Sequence, residues 1–229
     1  MSTTPLPSLD GVDTWLFDLD NTLYPANCDI FPLVERRMGL FIEERFGMER
    51  EAARALQKRL FGQYGTTMRG LMTEKGVDAE EYLAFVHDID LATLVPDQVL
   101  LEAVARLPGR KLIFTNASAE HALRVLERVS LAGHFEAVFD IRDAAFDPKP
   151  GEGAYDLLIE RHGIDPWRTV FFEDTVRNLQ PAHARGMTTV WVEHDALWSR
   201  ADMAGVGDET PDYVHHRTCE LPAWLAALK

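Results

Sequence analysis

The chain has 229 residues, of which 46% are hydrophobic and 26% are charged, an ordinary balance for a folded globular protein. Its 23 lysines and arginines against 37 aspartates and glutamates give a formal net charge of −14 at pH 7. This acidic balance argues against binding to nucleic acid polymers or to anionic membranes, which need clustered basic side chains.

The amino-terminal residues do not resemble a targeting segment. They lack a basic stretch followed by an apolar run, so no signal peptide is predicted, and no apolar stretch is long enough to span a bilayer. Cys28 and Cys219 form no paired motif, which predicts free thiols. Together these features predict a cytoplasmic protein.

Short apolar runs alternate with helical patterns along most of the chain. The runs predict strands over residues 14–17, 111–114, 137–139, 169–172, 188–192 and 212–214. The patterns between them predict helices over residues 98–107, 120–129, 152–162, 178–185 and 221–228. Strands that are apolar on both faces and separated by helices predict an α/β fold: a Rossmann-like, mostly parallel sheet with helices on both faces.

Residues 25–96 interrupt this alternation. They carry helical patterns over 31–46, 49–64, 67–75 and 78–89, with no strand pattern among them. The sequence therefore predicts an all-helical subdomain inserted after the first strand. The predicted domains are a core of residues 1–21 and 97–229 and an inserted helical subdomain of residues 22–96.

Polar side chains follow four of the predicted strands or lie in the loop beyond them. They are Asp18 and Asp20 after the first strand, Thr115 and Asn116 after the second, Lys149 in the loop after the third, and Glu173 and Asp174 after the fourth. Each pattern alone is more typical of a turn or a helix cap. Because ligands of open α/β sheets bind at the carboxyl ends of the strands, all four together predict a single site.

Phosphoryl transfer through an aspartyl phosphate is the chemistry that uses this set of residues. Asp18 is the predicted nucleophile, which splits a slow hydrolysis into two steps. Asp20 is the predicted general acid and base, because residues two apart on a strand share one face. Thr22 is predicted to hydrogen-bond Asp20 and to hold it in position.

Hard oxygen atoms at the same place predict a Mg²⁺ site. The predicted ligands are Asp18, Asp174 and a backbone carbonyl near Asp20. Glu173 is predicted to act through a bound water, and Asn178, one helical turn past Asp174, to support the metal shell.

The phosphate of a small phosphorylated metabolite is the group that the remaining polar residues are predicted to bind. Lys149 supplies a positive charge, and the Thr115 hydroxyl and the Asn116 backbone N–H supply hydrogen-bond donors. The sequence leaves the oligomeric state open.

Four motifs resemble those of the haloacid dehalogenase superfamily, in the same order. They are FDLDNT, FTNAS, DPKP and FFEDT, and the resemblance covers essentially the whole chain. It implies a Rossmann-like core and a Mg²⁺-dependent phosphatase with a mobile cap, which corresponds here to the helical insertion of residues 22–96. A cap that closes over the phosphate excludes water and completes specificity.

Two further stretches, DNTLYP and YGTTMRGL, resemble a branch of that superfamily that contains pyrimidine 5′-nucleotidases. The branch often has two aspartates where this chain has Glu173 and Asp174. The cap residues predicted to contact the leaving group are Tyr64, Thr66, Thr67 and Arg69.

Other functions stay open at this point. Within the superfamily they are a sugar-phosphate or phosphoglycolate phosphatase and a phosphomutase. A dehalogenase is disfavoured, because its chemistry needs no metal and gives Asp20, Glu173 and Asp174 no role. A non-catalytic module that binds a phosphometabolite is the alternative from another class.

Overall fold

The computed structural model of this chain describes residues 9–194 and 210–228. Its strands are β1 (Thr14–Phe17), β2 (Arg110–Phe114), β3 (Ala137–Phe139), β4 (Thr169–Glu173), β5 (Thr188–Val192) and β6 (His216–Thr218). They form one sheet in the spatial order β3-β2-β1-β4-β5-β6, and every neighbouring pair is parallel. This order is that of a Rossmann-like sheet, so the predicted fold class is confirmed.

The α-helices of the described residues fall into two groups. Four lie between β1 and the rest of the core: α1 (Ile30–Phe46), α2 (Arg50–Tyr64), α3 (Thr67–Lys75) and α4 (Ala79–Val86). The others alternate with strands or end the chain: α5 (Gln98–Arg106), α6 (Ala119–Arg128), α7 (Glu152–His162), α8 (Leu179–Ala184) and α9 (Leu221–Ala226). In the described residues no helix is long and apolar enough to cross a membrane.

The sheet separates two apolar cores. Trp15 and Phe17 of β1 belong to one core, whereas Leu16, between them, belongs to the other. Neighbouring strands repeat this alternation, because successive side chains of a strand point to opposite faces. Both faces are therefore buried, and the polar residues that follow the strands lie at the edge of the sheet.

The register places the ends of the central strands side by side. Phe17, the last residue of β1, pairs with Ile113 of β2 and with Phe172 of β4. The order of connection reverses between β1 and β4, and such a switch point is where open α/β sheets bind ligands.

Two predicted elements differ from the structure by more than two residues at an end. The last strand is His216–Thr218 and not residues 212–214, because the Tyr213 carbonyl accepts a hydrogen bond from Thr189 Oγ1 at 2.7 Å and a turn precedes the strand. Helix α4 ends at Val86 and not at residue 89, where Arg124 of α6 binds the carbonyl oxygens that follow the helix.

The predicted division into a core of residues 1–21 and 97–229 and a cap of residues 22–96 stays a prediction. The observed four-helix insertion lies within the predicted cap. Residues 1–8, 195–209 and 229, which the predicted core includes, lie outside the described part of the chain. Cys28 and Cys219 are both free thiols.

Candidate active site

A buried lysine lies at the centre of the polar cluster. Lys149 is 3% exposed, and its Nζ donates hydrogen bonds of 2.7 Å to Asp18 Oδ1, to Glu173 Oε2 and to the Phe114 carbonyl oxygen. These partners follow β1 or end β2 and β4, so the structure brings together residues from separate parts of the chain. Three bonds fill the donor capacity of the ammonium group, which is therefore fixed in position.

The side chain of Asn116 holds the backbone of this lysine. Its Oδ1 accepts a 2.8 Å hydrogen bond from the Lys149 N–H, and its Nδ2 donates a 3.2 Å bond to the Lys149 carbonyl. Thr115 is buried, and its hydroxyl oxygen accepts a bond of 3.0 Å from the Ala117 N–H. All three predicted phosphate-binding residues, Thr115, Asn116 and Lys149, line the central cavity, and Asn116 also anchors the loop that carries Lys149.

Both carboxylate oxygens of Asp18 have partners. Lys149 binds Oδ1, and the Thr22 hydroxyl donates to Oδ2 at 3.2 Å. Thr22 was predicted to hydrogen-bond Asp20, but in the structure its hydroxyl donates to Asp18. The reason is a turn in which the Thr22 N–H donates to the Leu19 carbonyl at 3.3 Å, which folds the hydroxyl back over the end of β1.

Asp20 lines the same cavity and is held by two residues that were not predicted from the sequence. The Tyr24 hydroxyl donates to Asp20 Oδ1 at 2.5 Å, and His121 Nε2 donates to the same oxygen at 3.0 Å. Burial is the largest influence on the Asp20 pKa and raises it. The charge of His121 and the hydrogen bonds from His121 and Tyr24 outweigh burial, so the pKa lies below its ordinary value.

Three buried carboxylates form a compact acidic group. One oxygen atom from each of Asp18, Glu173 and Asp174 lies within 4.8 Å of the others. Burial, followed by the charge of Glu173, raises the pKa of Asp18 to about 7, and burial raises the pKa of Glu173 to about 7. Burial also raises the pKa of Asp174. The positive charge of Lys149 therefore compensates only part of the negative charge of these three carboxylates.

Asp174 is positioned by residues from elsewhere in the chain. His194 Nε2 donates to its Oδ2 at 3.1 Å, and Asn21 Nδ2 donates to the same oxygen at 3.4 Å. Trp191 Nε1 donates to its backbone carbonyl at 2.9 Å. His194 was not predicted, although it follows β5 as the predicted residues follow their strands, and the same rule applied to β5 identifies it.

The acidic group fits a divalent cation. Its donors are hard oxygen atoms, which Mg²⁺ and Ca²⁺ prefer, and its excess negative charge needs a positive charge for compensation. Asn178 Oδ1 is buried at the cavity wall and has no hydrogen-bond partner in the described residues, and the water shell of a bound ion would satisfy it. Glu173 is bound directly to Lys149, so its main contact is this ion pair.

The cavity above these residues measures about 690 Å³ and extends to the helical insertion. The insertion contributes an apolar wall of Phe31, Val34, Met38, Phe61, Met68, Tyr82, Leu83 and Val86. It also contributes polar lining residues, among them Glu35, Arg54, Gln57 and Lys58. Of the four cap residues predicted to contact a leaving group, Thr66 and Thr67 line the cavity. Tyr64 and Arg69 are not among the lining residues, and Arg69 forms an ion pair with Asp147 of the core.

Further contacts join the insertion to the core beside the cavity. The Arg177 guanidinium lies 5.3 Å from the centre of the Phe61 ring of α2. Glu80 of α4 pairs with Arg142 of the core at 2.5 Å. The helices therefore cover the polar residues at the end of the sheet and limit the access of water to them.

The chain belongs to the haloacid dehalogenase-like hydrolase family, whose model matches residues 12–186. Phosphate metabolism protein 8 from Saccharomyces cerevisiae is 25% identical over 189 residues, 76% of this chain. The chain spans 59% of the length of that relative.

Solved structures share the fold at low sequence identity. A haloacid dehalogenase-family phosphatase from Thermococcus onnurineus has a TM-score of 0.60 and 19% identity, with 91% of this chain and 94% of that chain covered. L-2-haloacid dehalogenase from Xanthobacter autotrophicus has a TM-score of 0.54 and 16% identity, with 95% of this chain and 100% of that chain covered. Because a phosphatase and a dehalogenase both match, the fold alone does not decide the reaction.

The acidic group predicts how the stability of the metal-free protein depends on pH. The native-state pKa values of Asp18 and Glu173, about 7, exceed their ordinary values of 3.8 and 4.5, so the native state retains these protons to higher pH. Their contribution to stability is full below about pH 4 and is lost as the pH rises through about 7. Thermal unfolding of chelator-treated protein between pH 5 and pH 8 measures this loss.

Glu173→Gln is expected to flatten this pH dependence, whereas Glu127→Gln, on the exposed face of α6, leaves it unchanged. Mg²⁺ is expected to raise the melting temperature of the wild type more at pH 8 than at pH 5, because the carboxylates are ionised at the higher pH. Equal pH dependence in wild type and Glu173→Gln would contradict the assignment of the buried charge.

Proposed function

We propose that this chain is a Mg²⁺-dependent phosphomonoester hydrolase that works through an aspartyl phosphate on Asp18. The observation that carries this proposal is the contact of one buried ammonium group, Lys149 Nζ, with Asp18 and Glu173 at 2.7 Å, beside Asp174. A dehalogenase reaction gives the acidic group and Asp20 no role. The yeast relative, which is named for phosphate metabolism, supports the same choice.

Phosphorylation of the enzyme is the first step of the proposed reaction. A carboxylate oxygen of Asp18 forms a bond to phosphorus as the bond between phosphorus and the ester oxygen breaks. The negative charge of the bound phosphate ester favours protonation of Asp20. The protonated Asp20 gives its proton to the departing oxygen, which leaves as an alcohol. Lys149 keeps Asp18 in position and supplies positive charge beside the phosphoryl oxygens.

Hydrolysis of the aspartyl phosphate is the second step. Asp20, now ionised, accepts a proton from a water molecule as that water attacks phosphorus. The bond between phosphorus and the Asp18 oxygen breaks, which releases inorganic phosphate and restores both carboxyl groups. The two hydrogen bonds to Asp20 Oδ1 stabilise its ionised form for this step.

Magnesium is the cofactor that we propose for the acidic group. Asp18, Asp174 and the backbone carbonyl of Asp20 would hold it, with Asn178 in support. When bound, Mg²⁺ neutralises charge on the transferring phosphoryl group. Tyr24 and His121 bind Asp20 Oδ1, and Oδ2 is assigned to proton transfer, which leaves the backbone carbonyl as the candidate metal ligand at that position.

Nucleoside 5′-monophosphates, pyrimidine nucleotides in particular, are the proposed substrates, with residues 22–96 as the cap. The resemblance of DNTLYP and YGTTMRGL to the pyrimidine 5′-nucleotidase branch supports this choice. A cavity of about 690 Å³ is also large for phosphoglycolate, which has no apolar part to contact Phe31, Met38 or Tyr82. A planar base and a ribose offer such surface.

A phosphate-release screen tests this proposal. Purified protein with Mg²⁺ is offered uridine, cytidine, adenosine and guanosine monophosphates, ribose 5-phosphate and phosphoglycolate. We expect a higher kcat/KM for nucleotides than for ribose 5-phosphate or phosphoglycolate, because contacts of a base with the apolar wall are worth about 1–3 kcal/mol. The resemblance to the pyrimidine 5′-nucleotidase branch predicts that uridine and cytidine monophosphates are the preferred nucleotides. A chelator is expected to abolish turnover, and Mg²⁺ to restore it.

Each alternative gives a different result in the same screen. Preference for a sugar phosphate would overturn the nucleotide assignment and keep the hydrolase. Return of labelled phosphate to a second position of the product would indicate a mutase. Halide release from 2-haloacids that is insensitive to chelators would indicate a dehalogenase, and binding without turnover would indicate a sensing module.

A further inference from the structure

Asp20 has an asymmetric environment. Its described hydrogen bonds, from the Tyr24 hydroxyl at 2.5 Å and from His121 Nε2 at 3.0 Å, both end on Oδ1. The side chain is 26% exposed and lines the cavity, and in the described part of the chain no hydrogen bond ends on Oδ2. Oδ2 is therefore the oxygen left for proton transfer, and the two bonds to Oδ1 fix where it lies.

His121 occupies a position that would otherwise suit an apolar side chain. It is 1% exposed, and the other buried residues of α6 are Ala122, Val125 and Leu126. An imidazole buried there costs free energy unless its polar atoms find partners, and its Nδ1 has none in the described residues. The hydrogen bond from Nε2 to Asp20 is the contact that partly offsets this cost.

The His121 ring is itself held in place from the helical insertion. The His87 ring, at the carboxyl end of α4, stacks on it with centroids 4.5 Å apart and planes 18° apart. His87 Nδ1 lies 3.0 Å from Ser118 Oγ, and the same Ser118 hydroxyl caps α6 by accepting from the His121 N–H at 3.3 Å. The Ser118 hydroxyl therefore contacts both the His87 ring, which stacks on His121, and the first turn of α6, which carries His121.

We propose that His121 is a positioning residue for the reaction, which acts by holding Asp20 so that Oδ2 faces the leaving oxygen, and that His87 holds the His121 ring. This inference rests on the proposed phosphatase function. His121 does not line the cavity and touches no reacting atom, so its effect passes entirely through Asp20. His87 lines the cavity, which connects the insertion to the orientation of the acid.

The dependence of kcat/KM on the leaving group tests this role. An alkyl leaving group, such as the ribose of uridine monophosphate, needs a proton from Asp20, whereas p-nitrophenolate departs without one. The kcat/KM of each substrate reports phosphorylation of Asp18 and excludes the second step. We expect His121→Leu to lower kcat/KM for uridine monophosphate at least about tenfold, a part of the about 10²- to 10⁴-fold that general acid catalysis supplies. The value for p-nitrophenyl phosphate is expected to change less than about threefold.

Three further variants check the physical basis. His121→Gln keeps an N–H donor of similar reach and is expected to restore most of the loss. Val125→Ala, on the same buried face of α6, removes packing alone and is expected to affect both substrates equally. His87→Leu is expected to give a smaller loss of kcat/KM, which is again larger for uridine monophosphate than for p-nitrophenyl phosphate. If His121→Leu does not fold, His87→Leu is the variant that tests the proposal.

The outcomes separate this inference from the function on which it rests. A wild-type protein that hydrolyses no phosphate ester of the substrate screen overturns both. If the screen selects another alkyl phosphate as substrate, that ester replaces uridine monophosphate in this test. A wild-type protein active on both substrates, with variants at His121 and His87 that lose equal activity on each or lose none, overturns the positioning role alone.

Discussion

Asp18→Asn is expected to lower kcat with a phosphate monoester by at least about 10⁴-fold, since removal of a nucleophile eliminates the covalent route. The amide has nearly the same shape as the carboxylate, and its oxygen can still accept the bond from Lys149 Nζ, so the fold is expected to persist. Turnover with Mg²⁺ and covalent incorporation of radiolabelled phosphate in quenched reactions measure the effect. The wild type is expected to carry label that hydroxylamine removes, and the variant none.

Asp13→Asn is the matched control for this substitution. Asp13 precedes β1, so it lies at the opposite end of the same strand, where it pairs with Arg168 at 2.7 Å. It is expected to retain wild-type activity. The stability of Asp18→Asn should be at least that of wild type at pH 8 without metal, because one buried negative charge is gone. Full turnover by Asp18→Asn would refute the aspartyl phosphate mechanism.

The parts of the fold that follow from burial were predictable from the sequence. The strands at 14–17, 137–139 and 188–192 coincide with the observed ones, because each is an apolar run. The first is fully buried and the third nearly so, whereas 137–139 is a partly buried edge strand. The last strand was misplaced, since His216–Thr218 is a partly exposed edge strand with no apolar run. Its position depends on pairing with β5, which is a tertiary contact.

The residues of the candidate site also divide into those that were predictable from the sequence and those that were not. Asp18, Glu173 and Lys149 were predictable as a group because they follow strands or precede a helix, and parallel strands end at one edge. The contact of His121 with Asp20 joins residues 101 positions apart, and nothing local in the sequence specifies it. Thr22 was predicted to bind Asp20 because the two residues are close in sequence. Sequence spacing alone does not show that the turn after β1 brings the Thr22 hydroxyl to Asp18 instead.

Lys149→Met is expected to affect activity and stability together. It leaves Asp18 and Glu173 without the ammonium group that each contacts at 2.7 Å, in a region where both are nearly unexposed. Removal of one partner of a buried ion pair typically costs about 3–5 kcal/mol. We expect a loss of that order at pH 8 without metal, measured by urea denaturation, and a decrease in kcat/KM of at least about 10³-fold with Mg²⁺.

Lowering the pH should separate the two effects. At pH 5 the carboxyls, whose pKa values are raised to about 7, take up protons, so the stability lost in Lys149→Met is expected to shrink while activity stays low. Lys111→Met is the matched control. Lys111 lies near the start of β2, at the end of the strands opposite the candidate site, and its Nζ donates to the Leu107 carbonyl at 2.7 Å. Its activity is expected to equal that of wild type. A Lys149→Met protein that is as stable at pH 8 as at pH 5 would show that this lysine does not offset the buried acidic charge.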